Sequence, residues 1–285
     1  EKGQDGMTLT APVNRIIPFS TVDGPGSRTS VFFQACNIAC AYCHNPETQN
    51  MCCNCGACVP GCPEGALSMA DGRVVWDPDK CVECDACIIT CPHLASPRVK
   101  TMTPQQVMDE VCKNIPFIRG ITTSGGECSL RADFLTELFT MAQKEGLTCL
   151  MDSNGIVDLA AYPALMEVCD GVMLDVKAWD SQVHRALTGA DNVNVKKNLG
   201  FLSEHGKLEE IRIVCIDELV DTRAAIDGIA RTIGPRRTQT RLKLITFRKN
   251  GVRGRLSETP SPSPETMQAH ADYARAAGFN NIVLT

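Results

Sequence analysis

The sequence predicts an α/β protein, a partial (β/α)6 barrel interrupted by a small cysteine-rich domain. Three observations predict it. Strand-like runs alternate with helical patterns over most of the chain, the mark of a parallel sheet with crossover helices. Glycines and polar residues gather where those strands end, which is where such folds keep their chemistry. Twelve of the 17 cysteines crowd between Cys36 and Cys91. The bulk numbers agree: 285 residues, 44% hydrophobic and 21% charged, describe a globular chain that needs no cysteine staples. A net charge of −5 offers no footprint for nucleic acid. No apolar run reaches the ~18 residues of a membrane span, and "EKGQDGMTLT" lacks the apolar stretch of a secretory signal. Met7 reads as a candidate start. Cysteines in such a chain are metal ligands before they are disulfides, so a reducing, cytoplasmic setting is expected.

The first strand, "TSVFFQA" (29–35), runs into Cys36, Cys40 and Cys43, spaced C-x3-C-x2-C. Three thiolates can cap three irons of a four-iron cube and leave the fourth open, as reactive metal sites do. Next comes the crowded segment. Cys52, Cys55, Cys58 and Cys62-Pro63 fit C-x2-C-x2-C-x3-C-P, and Cys81, Cys84, Cys87 and Cys91-Pro92 repeat it. In that two-cluster ferredoxin run the fourth cysteine of each half ligates the other half's cluster. Cys52, Cys55, Cys58 and Cys91 are therefore expected to hold one [4Fe–4S] cluster, and Cys81, Cys84, Cys87 and Cys62 a second. A zinc ribbon, with two CxxC pairs and four ligands per site, is the rival reading; two runs of matched spacing with a proline after each last cysteine favour the ferredoxin pattern. Cys53 is out of register and reads as a bystander. The domains follow: a barrel from 7–50 and 96–285, and a ferredoxin-like insert at 51–95.

The remaining strands follow in order. "GITTSGG" (120–126) leads to Gly125-Gly126-Glu127, and "LTCLMDS" (147–153) to Asp152-Ser153-Asn154. "GVMLDVK" (171–177) carries Asp175 and Lys177. "EEIRIVC" (209–215) holds Arg212, and "LKLITF" (242–247) ends at Phe247-Arg248. Between them, residues 133–145 set Leu135, Leu138, Phe139 and Ala142 on one stripe before Gly146 stops the helix. Thr103-Pro104 and Ser263-Pro264 look like N-cap and N1 pairs. "LSETPSPSPE" (256–265) is a loop into the last helix, and "NIVL" (281–284) an edge strand. Singly, a strand-end Asp is more often a cap and a Gly-Gly pair a turn. Six such features on one rim, beside a cysteine triad, point to a site. His93, His184, His205 and His270 read as surface or capping residues. Cys112, Cys128, Cys149, Cys169 and Cys215 read mostly as small hydrophobes.

C-x3-C-x2-C with Tyr42 before the last cysteine resembles the signature of the radical S-adenosylmethionine (SAM) enzymes. The wider stretch "TVDGPGSRTSVFFQACNIACAYCHNPET" (21–48), with "SGGE" at 124–127, "LMDSNG" at 150–155 and "MLDVK" at 173–177, resembles the glycyl radical enzyme activating enzymes, of which the pyruvate formate-lyase activase is best known. The insert and "LITFRKNGVRG" (244–254) resemble a subgroup with an extra ferredoxin-like domain, the YjjW type. The resemblance implies a radical SAM barrel in which Cys36, Cys40 and Cys43 hold a [4Fe–4S] cluster whose open iron is chelated by SAM. One electron would cleave SAM to methionine and a 5′-deoxyadenosyl radical, which takes hydrogen from a glycine Cα of a partner enzyme under anaerobic conditions. It further implies that Tyr42 and His44 approach the adenine and that Gly125, Gly126 and Glu127 bind the methionyl amine. Asp152, Ser153, Met173 and Asp175 match a monovalent-cation site near the SAM carboxylate. Asp175 and Lys177 match the pair that meets the partner's glycine loop. Arg212 is a further SAM contact. Phe247-Arg248 departs from the family's Tyr-His pair, with Arg248 the substitute donor.

Three cofactor clusters, SAM, a glycyl radical enzyme as protein substrate, a flavodoxin or ferredoxin-type reductant and a monomeric state complete the expectation. Two rivals stand beside it. A polyferredoxin-type electron carrier would explain 51–95 but leave "CNIACAYC" and "SGGE" idle. A radical SAM enzyme acting on another peptide or small molecule would use the same barrel.

Overall fold

A computed structural model of the protein describes residues 8–249, 251–252 and 254–285. Met7, and Asn250 and Arg253 of the 244–254 stretch, lie outside them. The strands are β1 (Ala11–Ser20), β2 (Arg28–Phe33), β3 (Leu67–Ala70), β4 (Arg73–Trp76), β5 (Lys100–Met102), β6 (Gly120–Gly125), β7 (Thr148–Ser153), β8 (Gly171–Asp175), β9 (Leu208–Cys215), β10 (Arg241–Thr246) and β11 (Asn281–Leu284). Nine of them form one sheet in the order β11-β10-β9-β8-β7-β6-β2-β1-β5. It is parallel from β11 to β2. The six strands read from the sequence are its centre, and β11 extends it in the same sense.

These strands are buried on both faces: every residue of β2 is buried, and all of β8 but Asp175. Apolar runs without alternation are what a helix-covered parallel sheet requires. The helices that cover it are α2 (Pro104–Cys112), α3 (Ala132–Lys144), α4 (Pro163–Val168), α5 (Ser181–Thr188), α6 (Val193–Glu204), α7 (Thr222–Ile233) and α8 (Pro264–Ala276), after a short α1 (Ala86–Thr90) in the cysteine-rich segment. Helix α2 begins with a capping box: Thr103 Oγ1 accepts from Gln106 N at 3.2 Å while Gln106 Oε1 accepts from Thr103 N at 2.9 Å. In α3, Leu135, Leu138, Phe139 and Ala142 are fully buried, and Gly146 turns the chain at φ +73°.

Two strands of the main sheet were not anticipated, nor was the β3–β4 pair of the cysteine-rich segment. β1 pairs antiparallel with β2, and β5 antiparallel with β1. Pro12 and Pro18 hide β1 from a strand reading, since proline belongs at sheet margins. Arg28, 2% exposed, pins the lower end of β2 to its neighbours by donating to Thr122 Oγ1 (2.8 Å), Ile121 O (2.7 Å) and Thr148 O (2.8 Å).

The cysteine-rich segment leaves the sheet after β2 and returns beside its exit. Asn50 bridges Ala95 in parallel fashion, with Asn50 N donating to Leu94 O at 3.1 Å and Asn50 Nδ2 to His93 O at 3.0 Å. Within it, β3 and β4 form a hairpin turned by Asp71 and Gly72, both at positive φ as a primed turn demands.

Of the surface and capping alternatives for His184, capping holds: it is 1% exposed and donates from Nδ1 to Ala190 O at 2.8 Å, closing the end of α5. Cys112 is exposed on α2 and is not a core residue, whereas Cys128, Cys149, Cys169 and Cys215 are fully buried.

Candidate active site

The loop after β2 is shaped mainly by backbone bonds, with Gln49 Nε2 donating to Cys40 O at 3.3 Å and Asn154 Nδ2 to Asn37 Oδ1 at 2.8 Å. Ala35, at φ +79°, turns the chain out of the strand. Ala35 N and Cys36 N donate to Thr48 O and Gln49 O, and Ala39 N and Ala41 N to Thr188 O and Leu187 O, each at 2.9 Å. The three thiols of Cys36, Cys40 and Cys43 are thereby presented to one cavity of about 230 Å³ at the strand ends, with Tyr42 and His44 beside them. Burial pushes the Cys36 thiol up to about 12 and Cys40 to about 11, with Lys177 pulling the other way. Thiols so placed stay protonated unless a metal replaces the proton.

The opposite wall is the end of β6. A Cβ on Gly125 would lie 2.2 Å from Phe33 N, and one on Gly126 2.0 Å from Ala35 O, so only glycine lets β6 and β2 close together here. Glu127, 2% exposed, ties this end to β7: Oε1 accepts from Ser129 N (3.1 Å), Ser129 Oγ (2.6 Å) and Ser153 Oγ (2.8 Å), and Oε2 from Asn154 N (2.8 Å). Burial raises its pKa while those donors oppose the rise.

The floor is charged and paired. Arg212 donates from Nη1 to Asp152 Oδ2 at 2.7 Å, from Nε to Glu210 Oε1 at 2.6 Å and from Nη2 towards Met173 Sδ at 3.0 Å. Burial would lower the Arg212 pKa, but Asp152, Asp175 and Glu210 raise it. Lys177 Nζ meets Asp175 Oδ2 at 2.8 Å and lies 5.8 Å from the centre of the Tyr42 ring. Burial is the largest influence on Lys177 and would neutralise it, but Asp175, Cys40 and Tyr42 together raise its pKa well above the usual lysine value. Of the two rim carboxylates, Asp175 is paired with Lys177, and Asp152 shares Arg212 with Glu210.

A model of the radical SAM superfamily matches residues 30–226. The chain belongs to the radical SAM superfamily. It is 30% identical to the indoleacetate decarboxylase activating enzyme of Tractidigestivibacter scatoligenes over 99% of both chains. It is 32% identical to the (2S)-3-sulfopropanediol sulfolyase activating enzyme of Bilophila wadsworthia, over 85% of this chain and 86% of that one. In fold it is similar to QueE from Escherichia coli, with a TM-score of 0.55 at 12% identity, covering 97% of this chain and 94% of that one.

For a radical SAM protein the residues present fit the [4Fe–4S] cluster and SAM that the family uses. The donor set is three converging thiols. The Tyr42 hydroxyl is buried without a hydrogen-bond partner at the cavity wall, as it would be if a ligand completed it. Cys36, Cys40, Cys43, Tyr42, His44, Gly125, Gly126, Glu127, Asp152, Ser153, Asp175, Lys177 and Arg212 all line this cavity. Arg248 does not line it; its side chain is exposed and its backbone hydrogen-bonds the His44 ring, whose pKa burial lowers. Phe247 is fully buried in a cluster with Tyr42 and Leu187. The alternation of a strand ending, inward Phe and outward Arg, accounts for both.

Sequence reasoning missed two residues. Asn154 lines the cavity and places Nδ2 3.7 Å from Cys36 Sγ. Glu210 braces Arg212 from two positions back on the same strand face, a spacing that period-two alternation could have disclosed.

The cysteines of the 51–95 segment surround two further small cavities. Cys52, Cys55, Cys58 and Cys91 line one. Cys62, Cys81, Cys84 and Cys87 line the other. Cys53 sits at the rim of the first, its sulfur within 4.8 Å of donor atoms of Cys55 and His93.

Proposed function

We infer that this chain activates a glycyl radical enzyme. The observation that carries the reading is the convergence of the C-x3-C-x2-C thiols, the Gly125-Gly126 approach and the Asp175–Lys177 pair on one cavity at the strand ends. The relatives named above, both activating enzymes, supply the reaction class. When bound, the cluster and SAM supply one-electron cleavage of SAM to methionine and a 5′-deoxyadenosyl radical that takes hydrogen from a glycine Cα of the partner.

The chain's own residues bind and orient. Cys36, Cys40 and Cys43 hold the cluster, and Asn154 Nδ2 offers a donor to the Cys36 sulfur. Gly125 and Gly126 bring backbone acceptors within reach of the methionyl amine, because no side chain stands in the way. Glu127 positions that wall. Arg212 holds Asp152 in place and remains cationic near the methionyl carboxylate. Tyr42 and neutral His44 present flat rings to the adenine. Asp175 and Lys177 offer an acceptor and a donor side by side to an extended backbone, the form in which a partner's glycine loop would enter.

The 51–95 segment is proposed as a ferredoxin-like domain with two [4Fe–4S] clusters, ligated by the crossed sets of four. The support is that each crossed set surrounds its own cavity. These clusters would pass electrons from a flavodoxin or ferredoxin-type reductant to the reactive one, in a monomer of the reducing cytoplasm. The ferredoxin-insert subgroup, YjjW type, is the matching assignment.

The test is anaerobic incubation of the reduced, reconstituted protein with SAM and the glycyl radical enzyme encoded nearest to it. A carbon-centred doublet from a glycine in the EPR spectrum of the partner is expected. SAM turnover with that partner silent would favour chemistry on another peptide or small molecule.

A further inference from the structure

The two insert cavities are alike in cysteines and unlike in everything else. Each has a backbone amide on a thiol: Asn54 N donates to Cys52 Sγ at 3.4 Å, and Ala66 N to Cys62 Sγ at 3.2 Å. Backbone donors therefore do not separate them. Side chains do. The cavity of Cys62, Cys81, Cys84 and Cys87 is also lined by Trp76 and Arg98. The described lining of the other holds no Arg, Lys or Trp, only His93 at an exposed position.

Trp76 Nε1 is sealed from solvent and has no hydrogen-bond partner in the polypeptide. A buried indole N–H facing four thiols lacks only an acceptor, and cluster sulfur is one. The ring is held from behind by Lys100, whose Nζ lies 5.6 Å from its centre. Arg98 is 16% exposed and oriented by a contact to Asp85. Of the acidic residues on the same wall, Glu64 is exposed, and Asp85, also exposed, is paired with Arg98.

We propose that Trp76 Nε1–H and the Arg98 guanidinium donate to the sulfurs of the [4Fe–4S] cluster held by Cys62, Cys81, Cys84 and Cys87, and raise its reduction potential above that of the cluster held by Cys52, Cys55, Cys58 and Cys91. The inference rests on the two-cluster reading of the insert. The reduced cluster carries the extra negative charge, so donors and a cation stabilise it more than the oxidised one. An electron entering the insert then settles at the Trp76 side.

The test is an EPR-monitored redox titration of the reconstituted full chain beside Trp76→Phe and Arg98→Gln. In the parent, the two insert clusters titrate at separate potentials. Trp76→Phe keeps the ring over Lys100 and removes only the N–H. It should lower the higher potential, reducing the reduced-to-oxidised ratio at fixed poise about tenfold, which is about 59 mV for a one-electron couple. The lower potential should not move. Arg98→Gln should shift the same cluster in the same direction. Iron near about twelve atoms per chain with both potentials unmoved, or both moved equally, would overturn the proposal while leaving the two-cluster reading intact. Iron near about four per chain would remove that reading and the proposal together.

Discussion

At the residue scale, the cavity is defined by side chains that answer one another's charge. Arg212 pairs with Asp152 and Glu210 at once, and removing it would leave Asp152 without its cation and Glu210 with only Arg241, at 3.6 Å. Arg212→Gln should destabilise the fold by about 3 kcal/mol or more and raise the KM for SAM; urea unfolding and initial rates measure the two effects. Arg212→Lys, with one point charge for two partners, should fall between. Nothing in the sequence alone joins Arg212 to Asp152, because the pair meets only when β7, β8 and β9 lie side by side. The histidines give a second prediction. Burial lowers the pKa of His44, His184 and His270 below the ordinary 6.5. The unfolded chain then binds protons that the folded one does not, so stability is full above about pH 6.5 and declines as pH falls below it. His184→Asn keeps a donor for Ala190 O and should make that acid-side decline shallower in denaturant titrations.

At the scale of elements, the site is a junction between strand ends. The sequence disclosed the six central strands because their apolar runs and terminal glycines and carboxylates are local signals. It concealed β1 and β5, whose prolines and short length carry no such signal and whose pairing is decided by the exposed edge of β2. It also placed Arg248 with the cofactor residues, where the strand's alternation instead turns Phe247 inward and Arg248 to the surface. The closest junction is β2 against β6. Gly126→Ala would set a methyl 2.0 Å from Ala35 O and 2.7 Å from Thr48 O, both backbone atoms that cannot swing aside. The expected result is loss of SAM cleavage with the absorbance of the insert clusters retained. An alanine variant that cleaves SAM at the parent rate would mean that this approach is not part of the site.

On the scale of the whole molecule, one sheet carries two kinds of cysteine loop. The 36–43 loop springs from the end of β2 and opens on a cavity bounded by the ends of β2, β6, β7, β8, β9 and β10. The 51–95 segment leaves and rejoins at Asn50 and Ala95, and its eight patterned cysteines line two cavities apart from the barrel site. The cysteine spacing made both loops legible. The asymmetry between the insert cavities was not, since Trp76 and Arg98 come from outside the cysteine runs and reach them only in three dimensions. The central claim is that the three-cysteine loop, and not the insert, carries the reaction. The most direct measurement compares 5′-deoxyadenosine released anaerobically from SAM by the reduced parent protein and by Cys40→Ala, with iron counted in each. The account predicts steady release by the parent, none by the variant, and retention of about two-thirds of the iron. Release by Cys40→Ala at the parent's rate, or none from a parent carrying its full iron, would contradict it.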